Sequence, residues 1–352
     1  MKPAIKLIIS FYLFIASIEL IKNASFSLAE HLNIILSSLI QNNPFKAVSL
    51  GWLITGVAQS SGITSFVTAT FAGNNILPIT TALFVIMGTG IGATVTALII
   101  SLLSRGKKKR DFRHGFEIAS VAVIYNLLLV IILFLLEYFF KIFTKLTVYL
   151  SISIKSTQLT MPIPNLVNII TYPITSLLNL IPSEIIVLIL SLFILAFSLK
   201  YFSQSILELF GEDKTKEFIN KYFKNKYKAF LIGLLLTSLF FSSAITIGLM
   251  VPLAVTRLIN LKKAIPFLLG AEVGTFTDTL LASLITGNSI TISLAILYLI
   301  FNLIGALMFL PSTDILYRMG KYFSKRLIKI NRTKAIIYFL IFLLVPLLII
   351  LI

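Results

Sequence analysis

The chain has 352 residues, of which 58% are hydrophobic and only 12% charged, and its mean hydropathy is +1.01. Soluble domains are about a quarter charged, so this composition excludes an ordinary water-soluble fold. The absence of cysteine excludes a disulfide framework and a thiolate metal site. The net charge of +17 lies mainly in short loops between apolar runs, where basic residues set membrane topology. Nucleic acid is therefore not an expected partner.

Long apolar runs recur along the whole chain. Crossing the ~30 Å hydrocarbon core of a bilayer takes roughly 20 apolar residues in a helix. The sequence therefore predicts an all-α polytopic membrane protein. The runs are 5–21, 80–103, 117–140, 184–209, 264–286, 289–310 and 335–352.

The charges of the loops predict which side of the membrane each loop occupies. Segments 105–113, 211–228 and 318–334 each carry six or seven Lys or Arg residues, which places them in the cytoplasm. Loops 73–79 and 286–290 carry no charge, so we expect them outside.

Two further segments, 44–72 and 229–256, are too long for one comfortable span and have polar centres. Such a centre is typical of a helical hairpin that dips into the membrane and returns, because irregular backbone is tolerated at that depth only when buried or lining a cavity. The first hairpin is followed by an uncharged loop, and the second by the basic loop 257–263. We expect the first to enter from outside and the second from the cytoplasm.

An internal repeat relates these regions. A single constant shift aligns 51–101 with 233–283 without a gap. The Gly, Ser and Thr identities at fixed spacing carry most of the weight, because matches between apolar residues are common by chance. These identities are Gly51/Gly233, Thr55/Thr237, Ser60/Ser242, Ser61/Ser243, Thr64/Thr246, Gly88/Gly270, Gly92/Gly274 and Ser101/Ser283.

The predicted fold is two inverted-topology repeats, each with a re-entrant helical hairpin. Residues 1–143 form the first transmembrane repeat, 144–183 an external linker, and 184–325 the inverted second repeat. Residues 326–352 form a C-terminal transmembrane helix. Inverted repeats with interrupted polar segments at matching positions indicate a secondary transporter whose substrate binds near the bilayer midplane.

The repeated motifs offer hydroxyls, glycines and free backbone groups. They are GWLITGVAQSSGIT (51–64) with GTGIGATVT (88–96), and GLLLTSLFFSSAIT (233–246) with GAEVGTFTD (270–278). Free N–H groups at helix N-termini suit anions, whereas carbonyls and hydroxyls suit sodium. No motif contains Lys or Arg, so we expect a bound anion to be held by N–H and hydroxyl donors and by co-bound cations. The simpler alternative is that the small residues only allow close helix packing.

The pattern G-x3-T-x3-Q-S-S resembles the type II sodium/phosphate cotransporters, a family that carries a QSSS signature in each of two inverted repeats. The segments FEIASVAVIYN (116–126) and LAILYLIFNLIG (294–305) resemble the blocks that follow the glycine motifs in that family. The resemblance covers 45–130 and 228–311, about half of the chain. It implies sodium-coupled symport of inorganic phosphate by alternating access, with phosphate and sodium at the two hairpin tips.

The implied site has two groups of residues. Candidate phosphate-binding residues are Gln59, Ser60, Ser61, Ser242, Ser243, Gly88, Gly270, Asn126 and Asn302. Candidate sodium-binding residues are Thr55, Thr64, Thr89, Thr94, Thr237, Thr246, Thr275, Glu272 and Asp278.

The sequence also departs from the family pattern. Gly62 and Ala244 replace the last Ser of the two signatures, and Phe241 replaces the second Gln. Glu272 stands where the family has a neutral polar residue, and Asp278 stands where the first copy has Thr. Both carboxylates are expected to bind sodium or to carry a proton. The alternative is that they pair with basic residues at the cytoplasmic end, namely Arg257, Lys262 or Lys263.

The hypotheses that remain open share this fold: another oxyanion as substrate, or coupling to protons through Glu272 or Asp278. No motif of a metalloprotease or serine hydrolase is present, so an enzyme is not expected. A passive channel is a further alternative. We expect multi-pass insertion in the cell membrane, sodium as the coupling ion and no other cofactor, and we leave a homodimer open.

Overall fold

The computed structural model describes residues 3–103, 109–156, 163–178, 181–211, 225–243, 246–247, 250, 259, 261–328 and 332–352. All regular secondary structure within these ranges is helical. The helices are α1 (Pro3–Ser27), α2 (Ala29–Ile40), α3 (Pro44–Ala58), α4 (Ser61–Gly73), α5 (Ile79–Leu103), α6 (Lys109–Phe140), α7 (Ile142–Ser156), α8 (Ile163–Leu178), α9 (Glu184–Phe210), α10 (Lys226–Phe240), α11 (Leu261–Gly274), α12 (Phe276–Thr286), α13 (Ser289–Phe309), α14 (Thr313–Ile328) and α15 (Arg332–Leu351).

Six helical segments of the described chain are long and apolar enough to cross a membrane, which confirms the predicted all-α polytopic membrane protein. One of them joins α11 and α12 end to end. The apolar part of α15, Ile336–Leu351, is shorter, so its transmembrane position stays a prediction. The six segments are Ala4–Ser27, Ile79–Leu102, Phe116–Phe140, Glu184–Phe202, Leu261–Thr286 and Ser289–Phe309.

The expected external linker contains two helices, α7 and α8. Glu137 fixes the start of α7, because one carboxylate oxygen accepts the backbone N–H groups of Phe143 (2.8 Å) and Thr144 (3.1 Å). These donors belong to the first turn of a helix, which has no intrahelical partner for them. The proposed boundaries at 143/144 and 325/326 fall inside α7 and α14, and the division into repeats and linker stays a prediction.

Two helices end at residues with the same unusual backbone. Gln59 follows α3 with φ 54°, and Phe241 follows α10 with φ 50°, both in the left-handed region. Ser60 then adopts an extended conformation, and its hydroxyl caps α4 by accepting the N–H of Ile63 (3.3 Å). A left-handed residue ends a helix without a glycine only at some cost in energy. The two helix breaks therefore lie at matching positions of the sequence repeat.

The starts of the two broken helices also match. Asn43 caps α3 by accepting the N–H of Phe45 (2.9 Å), and Asn225 caps α10 by accepting the N–H of Tyr227 (2.8 Å). Asparagine is among the best N-cap residues, because its side-chain oxygen satisfies an unpaired N–H of the first turn. These two asparagines are separated along the chain by the same interval as the two breaks, which extends the repeat beyond the aligned sequence.

Glycines bring the broken helices against their neighbours. A Cβ atom at Gly51 would overlap the carbonyl oxygen of Val85, and one at Gly88 would overlap that of Val48, so α3 and α5 touch backbone to backbone. Gly233 and Gly270 make the same approach between α10 and α11, against Phe267 and Phe230. Small residues allow such contact between membrane helices.

A separate pair of helices, α1 and α9, packs against α4 and α12. Phe14 of α1 and Leu195 and Leu199 of α9 are buried in this cluster, together with Phe66 of α4 and Ala282 of α12. The larger apolar core lies elsewhere, around α5, α6, α11 and α13. Residues at the starts of α4 and α12 therefore face the α1–α9 pair.

We predict that Gly51→Ala destabilises the protein far more than Gly56→Ala in the same helix. The first substitution forces a methyl group into a backbone carbonyl, whereas the second meets only side-chain atoms of Val95 and Leu343 at 3.2 and 3.3 Å. Overpacking costs about 1–3 kcal/mol, and more when backbone must move. Thermal unfolding of the purified protein in detergent measures the difference. Equal melting temperatures for the two variants would contradict this packing.

Candidate functional site

At the helix break at 59–60, successive polar side chains become less exposed to solvent. Gln59 is exposed, Ser60 is half-buried and Ser61 is buried. At the second break, Ser242 and Ser243 are both half-buried. Each break is closed by the same bond, in which a threonine hydroxyl donates to the serine carbonyl: Thr64 to Ser60 (3.0 Å) and Thr246 to Ser242 (3.1 Å). The two breaks thus share hydroxyls, local hydrogen bonding and partial access.

The threonines at the base of the breaks differ between the copies. Thr237 is buried and donates to the hydroxyl of Thr246 (2.9 Å), which ties the end of α10 to the residues after the break. Thr55, its counterpart, is also buried, but its hydroxyl has no hydrogen-bond partner within the described residues. An unpaired buried hydroxyl is costly, so Thr55 offers a free ligand oxygen.

Thr89 and Thr94 lie on the continuous helix α5. The Thr89 hydroxyl donates to the Ile86 carbonyl (2.7 Å) and lies 3.2 Å from the Ser65 hydroxyl of α4. Thr94 donates to the Ile91 carbonyl (2.7 Å) of its own helix. Thr89 therefore joins α5 to the first break, whereas Thr94 is satisfied locally.

The helix is interrupted within the second glycine motif but is continuous through the first. α5 runs unbroken through residues 88–96, but α11 ends at Gly274 and α12 begins at Phe276. Thr275 bridges this break, and its hydroxyl donates to the Glu272 carbonyl (2.5 Å). This break places the Glu272 and Asp278 side chains on separate helices.

Glu272 is buried, at 4% exposure, at the junction of the two copies. Its Oε1 atom lies 3.5 Å from Nδ2 of Asn126, a residue of α6 in the first copy. The Asn126 amide also donates to the Ala122 carbonyl (3.1 Å) of its own helix. The candidate residues Glu272 and Asn126 are therefore brought together across the repeat.

Tyr298 links several of these groups. Its hydroxyl lies 3.1 Å from the Thr275 hydroxyl, and Ser61 of α4 lies nearby. Both Glu272 and Asp278 are close enough to act electrostatically on this tyrosine. The start of α4, the break at Thr275 and the two carboxylates thus surround one phenol. Tyr298 is 4% exposed, so this cluster is shielded from water.

Asp278 lies directly against the first break. Its carboxylate is 7% exposed and faces Gly62, the second residue of α4. The Thr279 hydroxyl is 3.2 Å from the Gly62 carbonyl and accompanies this contact. The first turn of α12 is therefore packed on the first turn of α4.

No Lys or Arg in the described part of the chain forms an ion pair with Glu272 or Asp278. Lys262 pairs instead with Asp314 (2.7 Å) at an exposed position, and its hydrogen bond lowers the pKa of Asp314. Arg257 lies outside the described residues. Buried carboxylates without a basic partner are costly and mark ion pathways in membrane proteins. The site can therefore lower its energy by binding cations.

Three candidate phosphate-binding residues have other roles in the packing. Gly88 and Gly270 face the backbones of α3 and α10. Asn302 is buried and donates to the Tyr298 carbonyl (3.0 Å) of its own helix. A direct role for them in ligand binding remains a prediction.

Phe241 explains one departure from the family pattern. Its ring stacks on Phe202 of α9, with centroids 5.1 Å apart, and also contacts Phe14 of α1. The position of the missing glutamine is therefore filled by apolar packing against the α1–α9 pair. Phe14 and Gly62 also line the same small cavity, so the two breaks lie near the same helix pair.

Sequence reasoning did not choose Tyr298, Ser65, Gly62 or Thr279 as site residues. Tyr298 was detectable as a hydrogen-bonding residue four positions before Asn302, but its partner Thr275 lies at the break between two other helices. Ser65 had a weaker signal as part of the polar centre of 44–72. Gly62 and Thr279 meet only through tertiary packing.

Comparison with known proteins gives the family. The Na+/Pi-cotransporter family matches residues 13–159 and 192–346, most of the chain, and the chain belongs to this family. This is the family that the Q-S-S pattern predicts, so that prediction is confirmed.

Curated relatives of the 2A type match along nearly the whole chain. The sodium-dependent phosphate transport protein 2A of Rattus norvegicus is 26% identical, over 95% of this chain and 65% of its own length. The 2A protein of Ovis aries is 26% identical, over 97% of this chain and 66% of its own. The 2B protein of Homo sapiens is 27% identical over 50% of this chain and 25% of its own. The chain thus spans about two thirds of the 2A relatives. No solved structure matches it.

The contact between Asn126 and Glu272 generates a test. We predict that Asn126→Leu lowers stability by about 1–3 kcal/mol, because it removes a polar neighbour of a buried carboxylate, and that Asn126→Leu/Glu272→Leu recovers part of this loss. Asn302→Leu is the matched control, since its amide bonds only within its own helix. Thermal unfolding of the wild type, Asn126→Leu, Glu272→Leu, the double variant and Asn302→Leu is the measurement. Strictly additive losses would show that the two side chains do not interact.

Proposed function

We propose that the protein is a secondary active transporter that carries inorganic phosphate together with sodium ions. Membership of the Na+/Pi-cotransporter family and the names of the relatives, which describe sodium-dependent phosphate transport, support this function. The observation that carries it is the pair of buried carboxylates without a basic partner in the described chain, beside two helix breaks rich in hydroxyls.

The charges of the site require that the ions bind together. An oxyanion that enters beside Glu272 and Asp278 meets negative charge in a region of low dielectric. Sodium ions bound first remove that repulsion, and a bound anion in turn strengthens sodium binding. In thermodynamic terms, coupling means that each bound ion raises the affinity of the protein for the other.

The proposed phosphate site lies at the two helix breaks. Gln59, Ser60 and Ser61 supply donors from the first break, and Ser242 and Ser243 supply donors from the second. Helix N-termini and hydroxyls suit an anion when no Lys or Arg is present. Asn126, Asn302, Gly88 and Gly270 complete the proposed set, the glycines by bringing α5 and α11 close to the breaks.

The proposed sodium ligands are hydroxyls and carboxylates around the same breaks. Thr55 supports this assignment best among the threonines, because its buried hydroxyl has no partner among the described residues. Oxygen atoms of this kind suit a hard cation. The full proposed set is Thr55, Thr64, Thr89, Thr94, Thr237, Thr246, Thr275, Glu272 and Asp278.

Transport by alternating access requires that the two copies move relative to the rest of the protein. We propose that segments 44–72 and 229–256 are re-entrant hairpins in repeats of opposite orientation, within 1–143 and 184–325. The matching helix caps, breaks and glycine contacts support equivalent copies, and the loop charges support opposite orientation. We place the protein in the cell membrane.

Two alternatives keep the same site. The substrate is then another oxyanion, or the coupling ion is a proton carried by Glu272 or Asp278. Sodium dependence at fixed pH, measured with several oxyanions, separates these alternatives from sodium–phosphate symport.

We predict saturable uptake of radiolabelled phosphate into proteoliposomes under an inward sodium gradient, and none under a matched potassium gradient. Ser61→Ala and Ser243→Ala should each lower uptake at low phosphate by about tenfold or more, since a hydrogen bond to a charged group contributes about 1.5–3 kcal/mol. Ser38→Ala on exposed α2 is the control and should transport normally. Equal uptake in sodium and potassium by folded protein would refute sodium coupling.

A further inference from the structure

Helix α14 packs on the spanning helices α6 and α11, but it is not one of the six segments that are long and apolar enough to cross a membrane. Its Leu316 side chain is fully buried. A Cβ atom added at Gly320 would lie 2.3 Å from Cγ2 of Val121, so α14 approaches α6 closely at this position. One face of α14 is therefore fixed against the helix bundle.

The opposite face of α14 carries an exposed apolar strip. Ile315, Met319 and Tyr322 are all exposed, and they lie side by side because residues three or four positions apart share a helix face. Arg318 lies beside this strip and is also exposed. An apolar strip bordered by basic residues is typical of a helix that lies at the membrane–water interface.

Three basic residues from distant parts of the chain come together next to the strip. Lys262, at the start of α11, pairs with Asp314 (2.7 Å), and both side chains are exposed. Arg318 of α14 and Lys226, at the start of α10, are close enough to act electrostatically on the same carboxylate. We call Lys226, Lys262 and Arg318 the basic cluster. Each belongs to a segment for which the loop charges predict a cytoplasmic position.

The charge of the basic cluster is only partly compensated. Asp314 supplies one negative charge against three positive ones, and no carboxylate of the described chain forms an ion pair with Lys226 or Arg318. Clusters of Lys and Arg on an amphipathic helix attract the anionic lipids of the cytoplasmic leaflet. The charge therefore favours an anion, and the adjoining apolar strip favours an anion that carries acyl chains.

We propose that the basic cluster binds the phosphate group of an anionic phospholipid from the cytoplasmic leaflet, whose acyl chains lie along the apolar strip of α14. The bound lipid joins α14 to the starts of α10 and α11. These are the helix that leads into the second break and the helix that carries Glu272. The lipid site is separate from the residues proposed to bind phosphate and sodium, and its occupation does not depend on transport.

The test is lipid binding to the purified protein in a neutral detergent, measured by native mass spectrometry and by thermal unfolding. Dioleoylphosphatidylglycerol is the anionic probe, and dioleoylphosphatidylcholine is the probe without net charge. A ligand that binds only the folded state raises its stability, so phosphatidylglycerol should raise the melting temperature more than phosphatidylcholine does. Excess inorganic phosphate should not displace the lipid, because the free ion has no acyl chains to contact the strip.

The double variant Lys226→Gln/Arg318→Gln removes two charges of the basic cluster and keeps its one ion pair. Its affinity for phosphatidylglycerol should fall by about 30-fold, the effect expected when two basic residues near an anionic lipid are lost. Lys145→Gln/Lys155→Gln is the matched control, since it removes two exposed charges from α7, and it should bind the lipid as the wild type does. Both variants should unfold as the wild type does without added lipid, because all four side chains are exposed.

Ile315→Asn/Met319→Asn tests the apolar strip. This variant leaves every charge in place, so a site that recognises only the phosphate group would bind phosphatidylglycerol as before. The proposed site should bind it about tenfold or more weakly, because contact between apolar side chains and acyl chains is lost.

Several outcomes would overturn the lipid site. They are equal binding of the two lipids, wild-type binding by Lys226→Gln/Arg318→Gln, and displacement of the lipid by inorganic phosphate. A dimer that dissociates in Ile315→Asn/Met319→Asn would also overturn it, because a second copy of the chain would then cover the strip. None of these results bears on sodium-dependent uptake, so the lipid site and the proposed function stand or fall separately.

Discussion

Close backbone contact at four glycines brings α3 against α5 and α10 against α11, and the position of both helix breaks depends on it. Helices that touch in this way leave no room for side chains between their axes, so their register is held by backbone atoms rather than by flexible groups. The breaks follow directly after these contacts, at Gln59 and Phe241. The serines that follow each break are thus attached to helices whose positions are held by backbone contacts.

Charge is the second constraint. Glu272 and Asp278 are buried at the junctions between the copies, and each contacts a residue of the first copy, Asn126 or Gly62. Helix dipoles, amides and hydroxyls reduce the cost of a buried carboxylate but do not remove its charge. The proposed order of binding, with cations first and an oxyanion only in their presence, follows from this negative charge. The apolar α1–α9 pair, with Phe14 near both breaks, keeps this region dry.

Much of the fold was predictable because bilayer insertion constrains the sequence so strongly. Apolar runs long enough to cross the hydrocarbon core identified the spanning helices, and the repeat indicated where both helix breaks lie. Other features were not predictable. The helices α7 and α8 lie in a stretch whose Ser, Thr and Pro content suggested a linker. Contacts such as the Glu137 cap stabilise α7, although the sequence of this stretch favours a helix only weakly. The two glycine motifs look alike, yet only the second contains a break.

The sequence by itself determined the membrane-embedded helical architecture and the residue types at the two breaks, because these depend on hydropathy, loop charge and spacing along the chain. The family followed from the resemblance of the Q-S-S motif. Only the tertiary structure decided which of these residues meet. Asn126 with Glu272, Tyr298 with Thr275, and Asp278 with Gly62 are contacts between distant parts of the chain. They arise from how helices pack in three dimensions, and the spacing of residues along the chain does not show which distant residues that packing brings into contact.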